Sequence, residues 1–92
     1  MRKFFLKSTD QRLRQRLVEV IEASDVDLVG KLKDQTSLIK SGMLDSLGLF
    51  NVALFVESEI GHKVDITAFD FAKEWDTIAD IVKFISKLRA SL

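Results

Sequence analysis

The stretch "SGMLDSLGLFNVALFVESEIG", residues 41–61, contains the start, the length and the end of one helix. Asp45 or Ser46 begins the predicted helix, and Ile60 ends it before Gly61, which suits the left-handed residue that often terminates a helix. Its apolar residues form two stripes at helical spacing: Leu49, Val52, Ala53, Val56 and Ile60, and then Leu47, Phe50 and Leu54. One helix of a small domain buries one stripe, so the second predicts a surface for a partner or a bound group. The alternative, that short loop helices cover the second stripe, stays open.

Two amphipathic segments flank this central helix in the sequence. Residues 8–23 begin with Ser8 and Gln11 in capping-box spacing, and the apolar residues of this segment recur on one face. Another periodic segment follows Asp76 or Thr77, either of which can cap a final helix. Its apolar residues are Ile78, Ile81, Val82, Ile85 and Leu88. Both segments therefore predict helices that pack on the central one.

The two connections between these helices carry apolar residues of their own. Residues 24–45 form a long connection with a helical turn expected near residues 26–33. Its apolar residues, which we expect to lie against the core, are Leu28, Val29, Leu32, Leu38, Ile39 and Leu44. A connection of this length in a compact domain is unusual and often functional. Residues 64–75 predict a short helix between loops, and its apolar anchors are Ile66, Phe69, Phe71 and Trp75.

The composition is that of a single all-α domain. The chain of 92 residues is 47% hydrophobic and 30% charged, with four glycines and neither cysteine nor proline. These features favour helices joined by modest loops, and they exclude disulfides, thiolate metal sites and cysteine nucleophiles. We therefore predict one domain over residues 1–92, an all-α bundle with three main helices and one short helix.

Nothing in the sequence predicts a membrane segment. No apolar run approaches the roughly 18 residues that suggest a membrane span. The opening "MRKFFLKS" has an apolar block that is too short for a secretory signal. We therefore expect a cytoplasmic protein without a membrane span.

Charge is unevenly distributed along a chain whose formal net charge is zero. Residues 1–16 carry six Lys or Arg against one Asp, whereas residues 45–80 carry eight acids against two lysines. The acidic half favours a basic protein surface over nucleic acid as a partner, although a solvated face that keeps the domain soluble is the alternative. The basic face of the first helix is interpreted as a solvated one, with contact to a partner as the alternative.

A conventional catalytic site is hard to assemble from these residues. His62 is the only histidine, and it follows the expected helix end, which favours a surface position. Ser46 and His62 lie at opposite ends of the predicted helix, roughly 24 Å apart at about 1.5 Å per residue. A nucleophile and its base must be much closer than this, so a hydrolase that uses Ser46 is disfavoured. The sequence also lacks a Gly-rich phosphate loop, an HExxH motif and an EF-hand loop.

Residues 42–61 resemble the attachment region of the acyl and peptidyl carrier proteins, in which Asp-Ser-Leu opens the second helix of a four-helix bundle. Here that motif is Asp45-Ser46-Leu47. The resemblance implies that the Ser46 hydroxyl receives 4′-phosphopantetheine from coenzyme A, and that the thiol of this arm carries acyl or aminoacyl groups as thioesters. It also implies that Asp45 helps to orient magnesium and the serine during modification. A phosphodiester suits a helix N-terminus, although Ser46 can instead be a plain helix cap.

The resemblance extends to the surface and to the subtype. It implies that Leu47, Phe50 and Leu54 face partners, and we add Glu57 and Glu59 to this surface as our own hypothesis of charged contacts. Gly48 and Asn51 stand where fatty-acid carriers commonly have acids, and Gly42 lies four residues before the serine where most carriers place a glycine three before it. Together with "ITAFDFAKEW", residues 66–75, the motif looks more like that of D-alanyl and other aminoacyl carrier proteins.

These observations predict a free-standing, monomeric carrier protein that is not itself an enzyme. Its expected partners are a phosphopantetheinyl transferase, an ATP-dependent acyl- or aminoacyl-activating ligase, and a downstream acyltransferase or synthase. The alternative is a small helical adaptor that uses the second apolar stripe to bind a partner and carries no cofactor.

Overall fold

The computed structural model describes residues 8–90, in which four α-helices and one 3₁₀ turn follow one another without a strand. The helices are α1 (Ser8–Ser24), α2 (Ser46–Ile60), α3 (Phe71–Glu74) and α4 (Ile78–Ala90), and the 3₁₀ turn is Val26–Leu28. This architecture confirms the predicted all-α bundle with three main helices and one short one. The side chain of Ser8, with its predicted capping box, and the basic residues Arg2, Lys3 and Lys7 lie outside what the structure describes.

The core is formed where the inward faces of the three long helices meet. α1 packs against α2 and α4, and α2 also packs against α4. The fully buried aliphatic side chains on these helices are Leu13, Leu17, Ile21, Val52, Val56, Ile78, Ile81 and Ile85. Each contributes roughly 1.5–3 kcal/mol of hydrophobic stabilisation, so the core outweighs any single surface contact. None of the described helices is long and apolar enough to cross a membrane.

The long connection between α1 and α2 lies against the core for part of its length. Leu28, Leu32, Leu38 and Leu44 are buried, as predicted. Val29 was expected to face the core, but it is 57% exposed. The reason is the 3₁₀ turn: residues three apart lie on the same side of such a turn, so Val26 and Val29 both point outward while Leu28 points inward.

The segment between α2 and α4 is less helical than the sequence suggested. Only residues 71–74 form a helix, and the preceding residues form turns and bends. Trp75 is fully buried, with its ring edge-on to Phe69 at 5.2 Å and to Phe84 at 5.4 Å between centroids. Such pairs contribute about 0.5–1.5 kcal/mol each beyond burial. The aromatic cluster therefore fixes this segment on α4.

The cap of α4 is Thr77. Its hydroxyl accepts a hydrogen bond from the backbone N–H of Asp80 at 3.0 Å, and its carbonyl accepts one from the N–H of Ile81 at 3.1 Å. The sequence left Asp76 and Thr77 as alternative caps, and the structure selects the threonine. The carboxylate of Asp76 instead reaches the long connection before α2.

Candidate functional site

The start of α2 assigns different roles to the two polar residues of the Asp-Ser-Leu motif. Asp45 is the N-cap, and its carboxylate accepts a hydrogen bond from the N–H of Gly48 at 2.9 Å. Its carbonyl accepts the N–H of Leu49 at 2.8 Å, which begins the helical ladder. Ser46 is therefore the first residue of the helix and not its cap. The reading of Ser46 as a plain helix cap is wrong.

Ser46 is displayed at the surface of this helix start. The residue is exposed, and its hydroxyl makes no hydrogen bond to any part of the chain that the structure describes. The N–H groups of the first helical turn have no carbonyl acceptors within their own helix, and the helix dipole places partial positive charge there. The helix dipole therefore favours a negatively charged group attached to the hydroxyl, while the neighbouring carboxylate of Asp45, which already accepts the N–H of Gly48, opposes it.

Two glycines shape the approach to the serine. Gly42 has a φ of +78°, a left-handed conformation that permits a sharp turn before the helix. At Gly48 the requirement is space, because a Cβ there would lie 2.6 Å from Cδ1 of Leu44. Leu44 is buried, so it packs directly across the first turn of α2. The absence of an acid at position 48 is thus explained by close packing of the connection on the helix.

Asn51, like Gly48, stands where an acid is common in fatty-acid carriers. Its side chain joins α2 to the end of α1. Its Nδ2 donates to Oγ of Ser24 at 2.8 Å, and this hydroxyl donates to the carbonyl of Val20 at 3.1 Å. The asparagine is half-buried. Its amide therefore serves the packing of the two helices, which an acidic residue facing solvent would not do.

The second stripe of α2 is exposed along its whole length. Leu47, Phe50 and Leu54 are 61%, 57% and 47% exposed, whereas Val52 and Val56 on the opposite stripe are fully buried. No loop helix among the described residues covers the stripe, so the alternative that it is internal is wrong. Large apolar side chains at consecutive helical turns form a contiguous patch of the kind that meets other molecules.

The two glutamates predicted as partner contacts have partners within the chain. Oε2 of Glu57 accepts the N–H of Val64 at 2.8 Å, and so holds the loop after α2; a partner contact by this half-buried residue stays a prediction. Glu59 pairs with Arg16 and Arg89, and its side chain is only 8% exposed. The expectation that Glu59 meets a partner is therefore corrected, because its nearly buried carboxylate is paired with two arginines of the same chain.

Ion pairs also correct the interpretation of the basic face of α1 as solvated. Arg16 binds Glu59 and lies 5.7 Å above the ring of Phe55, and Arg14 binds Asp34. These arginines connect α1 to α2 and to the long connection. They are not simply solvated.

The remaining sequence candidates stay apart from the serine. His62 is exposed, as predicted, and its Nδ1 lies 3.0 Å from the carbonyl of Lys63. It follows the C-terminal end of α2, where Gly61 adopts a φ of +83° and donates its N–H to the carbonyl of Glu57. Since α2 separates it from Ser46, the two cannot act as nucleophile and base. Over residues 8–90, no group of three histidine or acidic side chains is placed to hold a metal ion.

One residue near the site was not assigned to it from the sequence. Asp76 contacts the connection that leads to Ser46. The available signal was the pair Asp76-Thr77: two cap-forming residues stand side by side, but only one can cap α4. The other side chain is then free to bind elsewhere.

The fold and the site together define a small helical bundle that displays a serine at the start of its second long helix. Curated proteins similar to this chain include the D-alanyl carrier proteins of Streptococcus pyogenes strains Manfredo and NZ131. Each is 27% identical over 77 residues, which is 84% of this chain and 95% of the relative. No family model and no solved structure matches the chain. The similarity to these relatives supports a carrier-protein role.

Proposed function

We propose that this chain is a carrier protein whose Ser46 bears a covalent 4′-phosphopantetheine arm. The observation that carries the proposal is the division of roles at the start of α2, where Asp45 caps the helix and Ser46 is exposed beside it. A serine needed as a cap would have its hydroxyl engaged by the backbone. The similarity to D-alanyl carrier proteins supports the same reading independently of this geometry.

The proposed modification joins Oγ of Ser46 to the phosphate of the arm. This bond forms as the pyrophosphate bond of coenzyme A breaks, the hydroxyl loses its proton, and the nucleotide portion leaves. Asp45 is proposed to help orient magnesium and the serine in the transferase complex. The first turn of α2 then stabilises the phosphodiester charge. The bound arm supplies a thiol that carries acyl or aminoacyl groups as thioesters.

The chain contributes presentation and recognition and does not itself catalyse a reaction. The exposed stripe of Leu47, Phe50 and Leu54 is proposed as the docking surface, with Glu57, three residues after Leu54 on the same helix, as a further contact. The proposed partners are a phosphopantetheinyl transferase, an ATP-dependent ligase that activates the cargo, and a downstream acyltransferase or synthase. The name of the relatives favours an aminoacyl cargo. We propose a monomer that acts in the cytoplasm.

An intact-mass measurement tests the attachment. The purified chain is incubated with coenzyme A, magnesium and a broad-specificity phosphopantetheinyl transferase, beside Ser46→Ala and Ser58→Ala. Ser58 is a matched control because it is an exposed serine on the same helix. We expect one phosphopantetheine on the natural chain and on Ser58→Ala, and none on Ser46→Ala. A folded natural chain that gains no mass, while a known carrier is modified in parallel, would refute the proposal.

A cofactor-free adaptor is the second candidate, and the exposed stripe is the observation that favours it. An amphipathic helix can place such a stripe in a partner groove without any covalent group. The adaptor predicts that Ser46→Ala preserves function, whereas the carrier predicts that this substitution abolishes it. Only the carrier gains the mass of a phosphopantetheine, so the mass measurement separates the two candidates.

A further inference from the structure

Residues 37–44 form a closed turn immediately before the motif. The N–H of Leu44 donates to the carbonyl of Leu38 at 2.8 Å, and the N–H of Gly42 donates to the carbonyl of Ile39 at 3.0 Å. Leu38 is fully buried and Leu44 nearly so, so both ends of the turn are attached to the core. The turn is consequently a defined structural unit and not a loose linker.

Asp76, which lies between α3 and α4, binds the first half of this turn. Its Oδ1 accepts the N–H groups of Ile39 and Lys40, both at 2.9 Å. The Ser37 hydroxyl lies 3.0 and 2.9 Å from the two carboxylate oxygens. The backbone carbonyl of Asp76 accepts the N–H of Leu38 at 2.6 Å. Four consecutive residues of the turn, 37–40, thus donate to Asp76, which lies 36 to 39 residues later in the chain.

The carboxylate is held in its charged form by this arrangement. The N–H of Lys40 above all, then the Ser37 hydroxyl, the N–H of Ile39 and the charge of Lys40, lower the pKa of Asp76 below its ordinary value, against an opposing effect of burial. Hydrogen bonds to a charged acceptor are roughly twice as strong as neutral ones. At neutral pH, the hydrogen bonds to the charged carboxylate of Asp76 therefore hold the turn more firmly than backbone hydrogen bonds alone would.

The far end of the turn meets the motif directly. Leu44 packs against Gly48 in the first turn of α2, as the close approach to that glycine shows. Asp45, the cap, follows Leu44 in the chain and Ser46 follows Asp45. A displacement of the turn must therefore move the cap and the serine that it presents.

We propose that Asp76 is a positioning residue for the modification of Ser46, acting through the turn of residues 37–44. The inference rests on the proposed function, since it concerns how the attachment hydroxyl is presented. The exposed stripe that is proposed for docking lies on α2 itself, outside the turn of residues 37–44. A loosened turn should accordingly lower kcat for modification and leave KM nearly unchanged.

Asp76→Asn is the variant that tests this inference. Asparagine keeps the size and one carbonyl oxygen, but it removes the charge and one of the two acceptors. Hydrogen exchange of the apo protein should show the amides of Ile39, Lys40 and Leu44 exchanging about tenfold faster, because a charge-assisted network is lost locally. Transferase assays with coenzyme A should show kcat reduced several-fold at a temperature where both proteins are folded.

Three further variants separate positioning from other effects. Asp65→Asn removes another acid with a lowered pKa, whose bonds go to Thr67 within its own loop, and it should change neither measurement. Ser37→Ala removes one donor only and should give a smaller loss than Asp76→Asn. Ile85→Val loosens the buried core at a residue that makes none of the turn's hydrogen bonds, and it reports what a general loss of stability does to modification.

The outcomes are distinguishable from those of the proposed function. If the natural chain is not modified at all, the proposed function fails, and the exchange rates still test whether Asp76 holds the turn. If the natural chain is modified and Asp76→Asn is modified with the same kcat, the positioning inference is overturned. Unchanged exchange at Ile39 and Lys40, or an equal loss of kcat in Ile85→Val at matched stability, would overturn it as well.

Discussion

Replacing Phe50 by glutamate tests whether the exposed stripe of α2 is a docking surface. Phe50 is 57% exposed and does not belong to the buried core cluster. Surface substitutions of this kind usually change stability by within about 0.5 kcal/mol. The Phe50→Glu protein should therefore fold normally, so that any effect on a partner reflects the surface itself.

The size of the effect follows from the area that docking can cover. A phenylalanine has about 200 Å² to bury, so an exposed fraction of 57% leaves roughly 110 Å². At about 25 cal/mol per Å² this corresponds to about 3 kcal/mol. That value is a ceiling, because association does not recover the full value of buried area. We expect KM for the carrier substrate to rise roughly tenfold to hundredfold, with a smaller change in kcat.

The assay measures phosphopantetheine transfer to the carrier by a broad-specificity transferase over a range of carrier concentrations. Val29→Glu is the matched control, because Val29 is also 57% exposed but lies on the connection after the 3₁₀ turn. The control should keep the KM of the natural chain. Equal KM values for the natural chain and Phe50→Glu would refute the docking surface, and an equal rise in both variants would show only a general effect of added charge.

Two further predictions concern stability. Glu59→Gln removes the shared partner of two partly exposed arginines. We expect the free energy of unfolding, measured by thermal unfolding, to fall by about 1–3 kcal/mol, which is less than for a fully buried pair. Because the folded-state pKa of Asp76 is lowered, its contribution to stability is complete above the ordinary value of about 3.9 and is lost as pH falls through the folded-state pKa. The stability difference between the natural chain and Asp76→Asn should therefore shrink between pH 6 and pH 2, measured by urea unfolding.

Each of these predictions has a clear counter-result. Glu74→Gln changes an exposed acid on α3 and should shift the melting temperature little, whereas Glu59→Gln should lower it by about 4–8 °C per kcal/mol lost. Similar melting temperatures for the two variants would contradict the role of the buried carboxylate. A stability difference at Asp76 that stays the same at both pH values would show that its charge does not matter.

The features that the sequence predicted correctly are local ones. The limits of α2 follow from a cap-forming aspartate before an apolar run and a glycine after it, and the structure places Asp45 and Gly61 in these roles. That Leu47, Phe50 and Leu54 share a face was also predictable, because the helical period fixes which residues lie together; the sequence left open whether that face is covered, and the structure shows it exposed. In both cases the physical cause lies within one or two helical turns of the residue concerned.

The features that the sequence did not predict depend on how distant segments meet. Glu59 was expected to face partners, but α1 and α4 bring Arg16 and Arg89 against it. From the sequence, Asp76 is only a candidate cap, because the donors of its hydrogen bonds lie 36 to 39 residues earlier in the chain. Residue type and periodicity carry no information on such pairs. They follow from the packing of the bundle.

The contacts of Asp76 also bear on the order in which the protein folds. Bonds that join residues 36 to 39 positions apart require closure of a long loop, which costs more chain entropy than forming a helix or its caps. α2 and its cap can therefore form early, from local interactions, while the turn before Ser46 gains its final geometry only once the segment preceding α4 has docked. A nascent chain that ends before residue 76 carries the complete Asp-Ser-Leu motif but not the contacts that hold the approach to it.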